Sequence, residues 1–225
     1  MHVERAVDQL DAVFVSLSGH GSSDSTTDLV GNLLPAVRVS KDNGPMSSAA
    51  SLLLSLDEYH KRYAGENGYE YWFGEVVRKS VPTWLHSILQ AILVDLLDKA
   101  GYVSGSELEL RIDPQWEPRP DVAAALNPDL EEPYPTKPVD IVAEILSPDD
   151  PMSRVFEKCR HYVRIGIPQI FVLDPELQLT WEWSRRTENL ERVNDMRLGN
   201  GVAIPTRDVW LELERRSKAR ERQKA

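Results

Sequence analysis

The stretch Val139–Pro148 constrains the fold of this chain more than any other segment, because it places one charge inside an apolar run. It reads VDIVAEILSP, and between Ile141 and Leu146 every residue is apolar except Glu144. Such a run is typical of a core strand. A buried charge is costly unless it is paired or bound to a metal. We therefore expect Glu144 to have a partner, and the identity of that partner to indicate the function.

The composition indicates a globular protein with room for a sizeable core. The chain has 225 residues, of which 41% are hydrophobic and 28% charged, so it fits one domain with an appendage. The formal net charge of -10 argues against a broadly basic surface, but it leaves room for a small cationic groove. No apolar stretch approaches the ~20 residues of a membrane helix. A single cysteine, Cys159, excludes an internal disulfide framework, and we expect a cytoplasmic protein without a membrane segment.

Residues 1–50 differ from the remainder of the chain. Residues 19–28 are polar and rich in turn formers, which predicts a poorly structured N-terminal extension. The compact pattern starts soon after Met46, so one hypothesis is that Met46 is the true start and the preceding residues are not native. We expect residues 51–225 to form a single domain that ends in a basic C-terminal helix.

The periodicity of residues 51–225 predicts alternating strands and helices. Strands are predicted at 69–77, which Gly74 can divide into two, and at 106–112, 121–126, 139–146, 169–173 and 179–183, the last as an edge strand. Helices are predicted from Pro82 to Gly101, from Pro151 to Ile165 and from about Thr206. Asp149 or Asp150 can cap the second of these helices. The order predicts an α/β fold in which helices cover both faces of a mixed central sheet.

Three residues form the chemical constellation of the chain. Asp121 follows Pro120 at the start of one predicted strand, and Glu144 lies near the end of another. Lys158 lies on the next helix, at the border of its apolar stripe, from which its amine can reach the sheet. Carboxylates supply hard oxygen ligands to Mg²⁺, and a nearby lysine can neutralise charge that develops on a phosphate. This set of residue types is typical of phosphodiester hydrolysis.

Four motifs in this order resemble a known family. They are RPDV at 119–122, EILSP at 144–148, KCRHY at 158–162 and GIPQIFVLDP at 166–175. Together they are similar to the Uma-type family of bacterial endonucleases, within the PD-(D/E)xK restriction-endonuclease-like superfamily. The segment YEYWFGEVV at 69–77 resembles the opening YELIDGEVV of that family. The resemblance covers about residues 52–215.

The resemblance implies a restriction-endonuclease-like fold and Mg²⁺-dependent cleavage of DNA, with Mn²⁺ as an alternative cation and a homodimer as the expected assembly. It implies Asp121 and Glu144 as metal ligands. Lys158 would be the catalytic lysine, supplied from the helix because Leu146 occupies the position two residues after the acid. Glu75 and His86 match further site positions of the family and complete the expected catalytic set.

The chain also departs from the family pattern. The acid that normally precedes the glycine of the opening segment is Phe73, and the acid usual after the GVP motif is Gln169. Neither departure removes Asp121, Glu144 or Lys158.

Simpler interpretations exist for each of these residues. Asp121 can cap a turn, Glu144 can pair with an arginine, Lys158 and Glu75 can be solvated surface charges, and His86 can be a hydrogen-bonded structural residue. Two alternative functions follow: a catalytically weak nucleic-acid-binding module on the same fold, or an oligomeric scaffold in which the strand of Trp181 and Trp183 pairs between subunits. The basic run 215–224 can contact phosphates or be a solvated helix end.

Overall fold

The structure, a computed structural model, describes residues 53–63, 66, 68–148 and 150–222. The predicted N-terminal extension, and the hypothesis that Met46 is the true start, therefore lie outside the described residues. Within those residues the helices are α1 (Leu56–Tyr63), α2 (Trp84–Lys99), α3 (Met152–Arg164) and α4 (Thr206–Arg222). The strands are β1 (Tyr69–Trp72), β2 (Glu75–Arg78), β3 (Val103–Ser106), β4 (Trp116–Glu117), β5 (Val122–Ala125), β6 (Ile141–Ile145), β7 (Gln169–Asp174), β8 (Leu179–Ser184), β9 (Asn189–Arg192), β10 (Asp195–Arg197) and β11 (Ala203–Pro205).

A six-stranded mixed sheet forms the centre of the fold. Its strand order is β3-β5-β6-β7-β8-β9, with β6 and β7 parallel and every other neighbouring pair antiparallel. Parallel neighbours need a crossover connection, and α3 supplies it between β6 and β7. The predicted strand–helix–strand unit and the predicted α/β class are therefore confirmed.

Each face of this sheet packs against its own layer. One core cluster combines residues of α2 and α4 with alternate residues of the sheet, such as Val122, Ile141 and Ala143. The other combines α3 with the intervening sheet residues, such as Ala123 and Val142, and with Trp116 of β4. Side chains alternate between the two faces of a strand, which explains why the nearly continuous apolar run of β6 serves both cores.

A small three-stranded sheet, β2-β1-β4, packs beside α3 and carries two residues of the candidate site. The hairpin between β1 and β2 turns at Phe73 and Gly74, both with positive φ (50° and 95°). A Cβ at Gly74 would lie 2.9 Å from the Cβ of Leu53, so this turn requires glycine for both conformation and space. The division of the predicted 69–77 strand at Gly74 is confirmed.

The strand predicted at 106–112 is wrong. The strand there is β3, which ends at Ser106, and the chain leaves the sheet at Glu107, where φ is 55°. Beyond it, the N–H of Leu110 donates to Pro118 O. The alternation of apolar side chains in this segment reflects burial against the second core, where Leu110 is fully enclosed, without a strand ladder.

Two further details differ from prediction. β8 is an inner strand between β7 and β9, so it was wrongly predicted as an edge strand. Helix α3 begins after Pro151 without a side-chain cap, because Asp150 accepts hydrogen bonds from Ser147 N and Ser80 Oγ instead. Asp149, the other predicted cap, lies outside the described residues.

Candidate active site

A cavity of about 230 Å³ opens where β5, β6, α3 and the β1–β2 hairpin meet. Its lining is dominated by ionisable side chains. They include the acids Glu70, Glu107, Asp121 and Glu144 and the lysines Lys79 and Lys158, with His86, Arg78 and Arg154 nearby. Such a concentration of buried charge is typical of a functional site and is costly to maintain for stability alone.

The strand register brings Asp121 and Glu144 together. β5 and β6 pair with Val122 opposite Ala143, and one further step of this antiparallel register puts Asp121 opposite Glu144. Both side chains therefore lie on the sheet face that carries α3. The Oδ2 atom of Asp121 accepts a hydrogen bond of 2.6 Å from the N–H of Ile145, which fixes the orientation of the carboxylate.

Glu144 is held from helix α3. Its two carboxylate oxygens each lie 3.0 Å from Nζ of Lys158, and the hydroxyl of Tyr162 donates to its Oε1 atom at 2.5 Å. Lys158 and Tyr162 are one turn apart on α3, so both reach the same point of the sheet. The partner of the buried carboxylate is thus the lysine singled out by the sequence.

Glu70 is a further acid at this point, and the sequence analysis missed it. It lies on β1, is 2% exposed, and its Oε1 atom is 3.0 Å from Nζ of Lys158. The N–H of Arg119 donates to the same oxygen at 2.9 Å, and Nε1 of Trp72 donates to the other at 3.0 Å. Lys158 is consequently shared between Glu70 and Glu144.

Lys79, directly after β2, is the second lysine of the site and was also missed. Its Nζ atom lies 2.6 Å from Oε2 of Glu107 and 3.1 Å from Oδ1 of Asp121. The carbonyl oxygen of Arg119 accepts a further hydrogen bond from it at 2.8 Å. The β1–β2 hairpin therefore delivers an acid, Glu70, and a cation, Lys79, to the same cavity.

His86 reaches the cavity from the first turn of α2. The N-cap residue Thr83 accepts a hydrogen bond from the N–H of His86, which anchors this turn. The Nε2 atom of His86 lies 3.4 Å from Oδ1 of Asp121. Its Nδ1 atom is buried without a hydrogen-bond partner. His86 therefore contacts the same carboxylate oxygen as Lys79.

The carboxylates of the site have different pKa values. Burial raises the pKa of Glu144 to about 7, and the nearby carboxylates of Asp121 and Glu70 add to this effect. Burial also opposes ionisation of Asp121, but the contact with His86 and the charge of Lys79 outweigh it and lower the pKa of Asp121. The pKa of Glu70 is lowered as well, because Lys158 and Lys79 outweigh its burial. Acids of unequal acidity side by side are typical of catalytic sites.

Lys158 remains a cation in this environment. Burial alone would lower the pKa of Lys158, but attraction to Glu144, Glu70 and Asp121 outweighs burial and raises the pKa. Its ammonium group is therefore suited to stabilise negative charge and unsuited to accept a proton near neutral pH.

The donor chemistry of the cavity fits a hard divalent cation. Asp121 and Glu144 present carboxylate oxygens on one sheet face, and oxygen is the ligand that Mg²⁺ and Mn²⁺ prefer. Ligand atoms of His86, Glu107 and Asp121 also lie within 4.8 Å of one another. The acids outnumber the lysines, so a cation at this position would relieve the repulsion between buried carboxylates.

A second group of close donors, His60, Glu109 and Glu117, lies elsewhere in the described part of the chain. Its charges are already paired. Glu109 contacts the guanidinium groups of Arg119 and Arg111, and Glu117 contacts Nε2 of His60 at 2.6 Å. We interpret this group as an ion-pair network that connects α1 to the small sheet.

The structure brings four of the five expected site residues together and leaves one apart. Asp121, Glu144, Lys158 and His86 all line the cavity. Glu75 is exposed on β2 and does not line it, although Val77 and Arg78 of the same strand do. The acid that the hairpin supplies to the cavity is Glu70.

The fold and the cavity together define a restriction-endonuclease-like α/β protein. A family model described as "Uma2: Putative restriction endonuclease" matches residues 56–213, and the chain belongs to this family. The resemblance inferred from the four motifs is thereby confirmed.

A solved structure shares the fold. It is a protein from Anabaena variabilis described as "a putative nuclease belonging to DUF820", and it is 20% identical to this chain. The match covers 71% of this chain and 99% of that one, with a TM-score of 0.59. No curated protein matches the chain. Among the described residues, no helix has the length and apolar character needed to cross a membrane.

Proposed function

We propose that this protein is a Mg²⁺-dependent endonuclease that hydrolyses phosphodiester bonds of DNA. The observation that carries the proposal is the convergence of Asp121, Glu144 and Lys158 in one buried cavity of a chain from this family. These residues are distant in sequence: Asp121 lies directly before β5, Glu144 on β6 and Lys158 on α3. Their meeting point fits a cation and a phosphate better than a structural ion pair.

In this proposal Asp121 and Glu144 hold the cation. Bound there, Mg²⁺ would polarise the scissile phosphate and lower the pKa of a water molecule that attacks it. The hydrogen bond from Ile145 N orients one carboxylate, and Tyr162 and Lys158 orient the other. Fixed carboxylates lose little conformational entropy when they bind an ion, which favours binding.

Lys158 has the electrostatic role. Its ammonium is held between Glu70 and Glu144 at 3.0 Å from each, and the surrounding acids keep it protonated. A cation fixed in this way can neutralise the charge that grows on the phosphate as the bond to the attacking oxygen forms. Glu70 acts through Lys158 and is therefore a positioning residue.

Cationic side chains at the mouth of the cavity support the proposal that the substrate is a polyanion. Arg78 on β2 and Arg154 on α3 are exposed and line the cavity, and the guanidinium of Arg154 lies over the ring of Trp72. For a chain of net charge -10, local cationic residues are needed to hold a DNA backbone. The basic end of α4 offers less support, since Arg215, Arg216 and Lys218 form ion pairs within the fold.

The assembly and location are also part of the proposal. We infer a cytoplasmic homodimer that acts on DNA, and light scattering on the purified chain tests the dimer. The scaffold alternative loses its main argument, because the strand of Trp181 and Trp183 is already paired on both sides. A nucleic-acid-binding module without catalysis is the second candidate, favoured by the loss of the acid at position 73.

Plasmid nicking separates the two candidates. Wild-type protein with Mg²⁺ or Mn²⁺ should convert supercoiled plasmid to open circles, and Asp121→Asn and Glu144→Gln should not. Salt-sensitive DNA binding without cleavage of DNA or RNA by either metal would favour the binding module. Absence of both binding and cleavage would exclude both candidates.

A further inference from the structure

The oxygens around the ammonium group of Lys79 are arranged like the ligands of a bound metal ion. Its Nζ atom is surrounded by three oxygens within hydrogen-bond distance: Oε2 of Glu107 at 2.6 Å, the carbonyl of Arg119 at 2.8 Å and Oδ1 of Asp121 at 3.1 Å. The side chain is 13% exposed, so water replaces few of these contacts. Two carboxylates and a carbonyl are also a common oxygen set around a divalent ion.

Two of the residues around Lys79 are also held by Gln90. The Nε2 atom of Gln90 donates to Oε1 of Glu107 at 3.1 Å and to the carbonyl of Asp121 at 2.7 Å. The N–H of Lys79 donates to the carbonyl of Gly68 at 2.8 Å, which fixes the start of the side chain. The oxygens therefore form an arrangement that is built for a cation at this point.

The charge balance around the two lysines indicates how many divalent ions this group of acids can accept. Four acids contact Lys79 or Lys158, namely Glu70, Glu107, Asp121 and Glu144, and with a cation bound and all of them ionised they carry four negative charges. Lys79 and Lys158 supply two positive charges, so two negative charges remain for one divalent ion. Without Lys79 the remaining charge would be three, and the oxygens of Glu107 and Asp121 would face each other without an ammonium group between them.

We propose that Lys79 is a built-in cation that takes the place of a second divalent ion, so that the site binds one ion per chain. The proposal deepens the proposed function and rests on it for the ion held by Asp121 and Glu144. Lys79 acts as a positioning residue, because its ammonium group lies 3.1 Å from Oδ1 of Asp121 and holds that oxygen beside Glu107.

Counting bound Mn²⁺ tests this inference without any measurement of cleavage. Electron paramagnetic resonance of free Mn²⁺ at saturation, in the absence of DNA, gives the number of ions per chain. We expect one ion for wild type, two for Lys79→Met, and one again for Lys79→Met combined with Glu107→Gln. Lys79→Arg keeps the charge and should bind one ion. Thermal melting establishes that each variant is folded, and Lys79→Gln replaces Lys79→Met if the latter does not fold.

Two ions on wild-type protein would overturn the inference, as would an unchanged count in folded Lys79→Met and Lys79→Gln. The proposed function fails in a different way, through absence of cleavage and of any ion on wild type. Even then, one ion gained in Lys79→Met and lost again with Glu107→Gln would support the role of Lys79.

Discussion

The ammonium nitrogen of Lys158 lies 3.0 Å from both carboxylate oxygens of Glu144. This contact joins a strand to a helix and answers the question raised by a charge in an apolar run. The pair is not isolated, since Glu70 and Tyr162 contact its two members. A simple buried ion pair would need one acid and one base, whereas here the acids are in excess, which leaves room for a metal ion.

Removal of either proposed metal ligand should abolish cleavage. Asp121→Asn and Glu144→Gln keep the shape of the side chain but lose the charge that binds the cation. We expect plasmid nicking in Mg²⁺ to fall by at least about 10³-fold, as for the loss of several kcal/mol of transition-state stabilisation. Residual nicking within about tenfold of wild type in either folded variant would contradict the assignment.

Glu70 and Glu75 form a matched pair of acids on one hairpin. Glu70→Gln removes a charge that positions Lys158, so nicking should fall about 10- to 100-fold, as for groups that orient a metal site. Glu75→Gln alters an exposed residue away from the cavity and should leave the rate within about twofold. Initial nicking rates of both variants at equal Mg²⁺ measure these effects. A larger loss in Glu75→Gln than in Glu70→Gln would support the sequence-based assignment of Glu75.

Lys158→Met should lower turnover more than metal affinity. The variant keeps a long side chain on α3 but removes the charge offered to the phosphate, so the rate should fall about 10²- to 10³-fold. Metal affinity should not weaken, because the carboxylates lose a competing counter-ion. Single-turnover cleavage and Mn²⁺ titration of the same sample measure the two quantities. Equal rates in wild type and variant would reject the electrostatic role.

Metal binding should depend on pH because Glu144 has a raised pKa. That pKa is about 7 without a metal, and a cation requires the ionised carboxylate, so protons compete with the ion below pH 7. The Kd for Mn²⁺ should therefore decrease as the pH rises from 6 to 7 and level off above 8. His86 also lies at the site, so His86→Gln is the control and should show the same dependence. A flat Kd across this range would contradict the assignment.

We predict that residues 51–225 fold and act alone. Leu54 is tied to the β1–β2 hairpin by two hydrogen bonds, from its N–H to Gly74 O and from the hydroxyl of Tyr71 to its carbonyl. The family match starts at residue 56. A protein of residues 51–225 should therefore melt within a few degrees of the full chain and nick plasmid at the same rate. Loss of folding on truncation would place part of the domain before residue 51.

Local pattern was sufficient to single out Asp121, Glu144 and Lys158, which line one cavity, whereas their proposed roles rest on the resemblance to the family. Each of these residues interrupts or borders an apolar segment whose type was clear, and the order of strand, helix and strand placed them on one side of a sheet. Glu70 depends on the same logic, because it is a lone acid among Tyr69, Tyr71 and Trp72. The resemblance drew attention to Glu75 instead, and the signal at Glu70 was overlooked.

Other features depend on contacts that no local pattern contains. Lys79 and Glu107 meet only because the small sheet packs beside α3 and the chain turns away from the central sheet after Ser106. The position of β8 inside the sheet depends on the later strand β9, so its composition alone could not exclude an edge. The alternation of apolar and polar residues at 106–112 shows which side chains are buried. It does not show whether the backbone pairs with another strand.

Anomalous scattering from a crystal grown with Mn²⁺ locates the ion without reference to activity. We expect one anomalous peak per chain, within coordination distance of carboxylate oxygens of both Asp121 and Glu144. If saturating Mn²⁺ gives no peak at these residues, or gives a peak at other side chains, Asp121 and Glu144 are not the metal ligands.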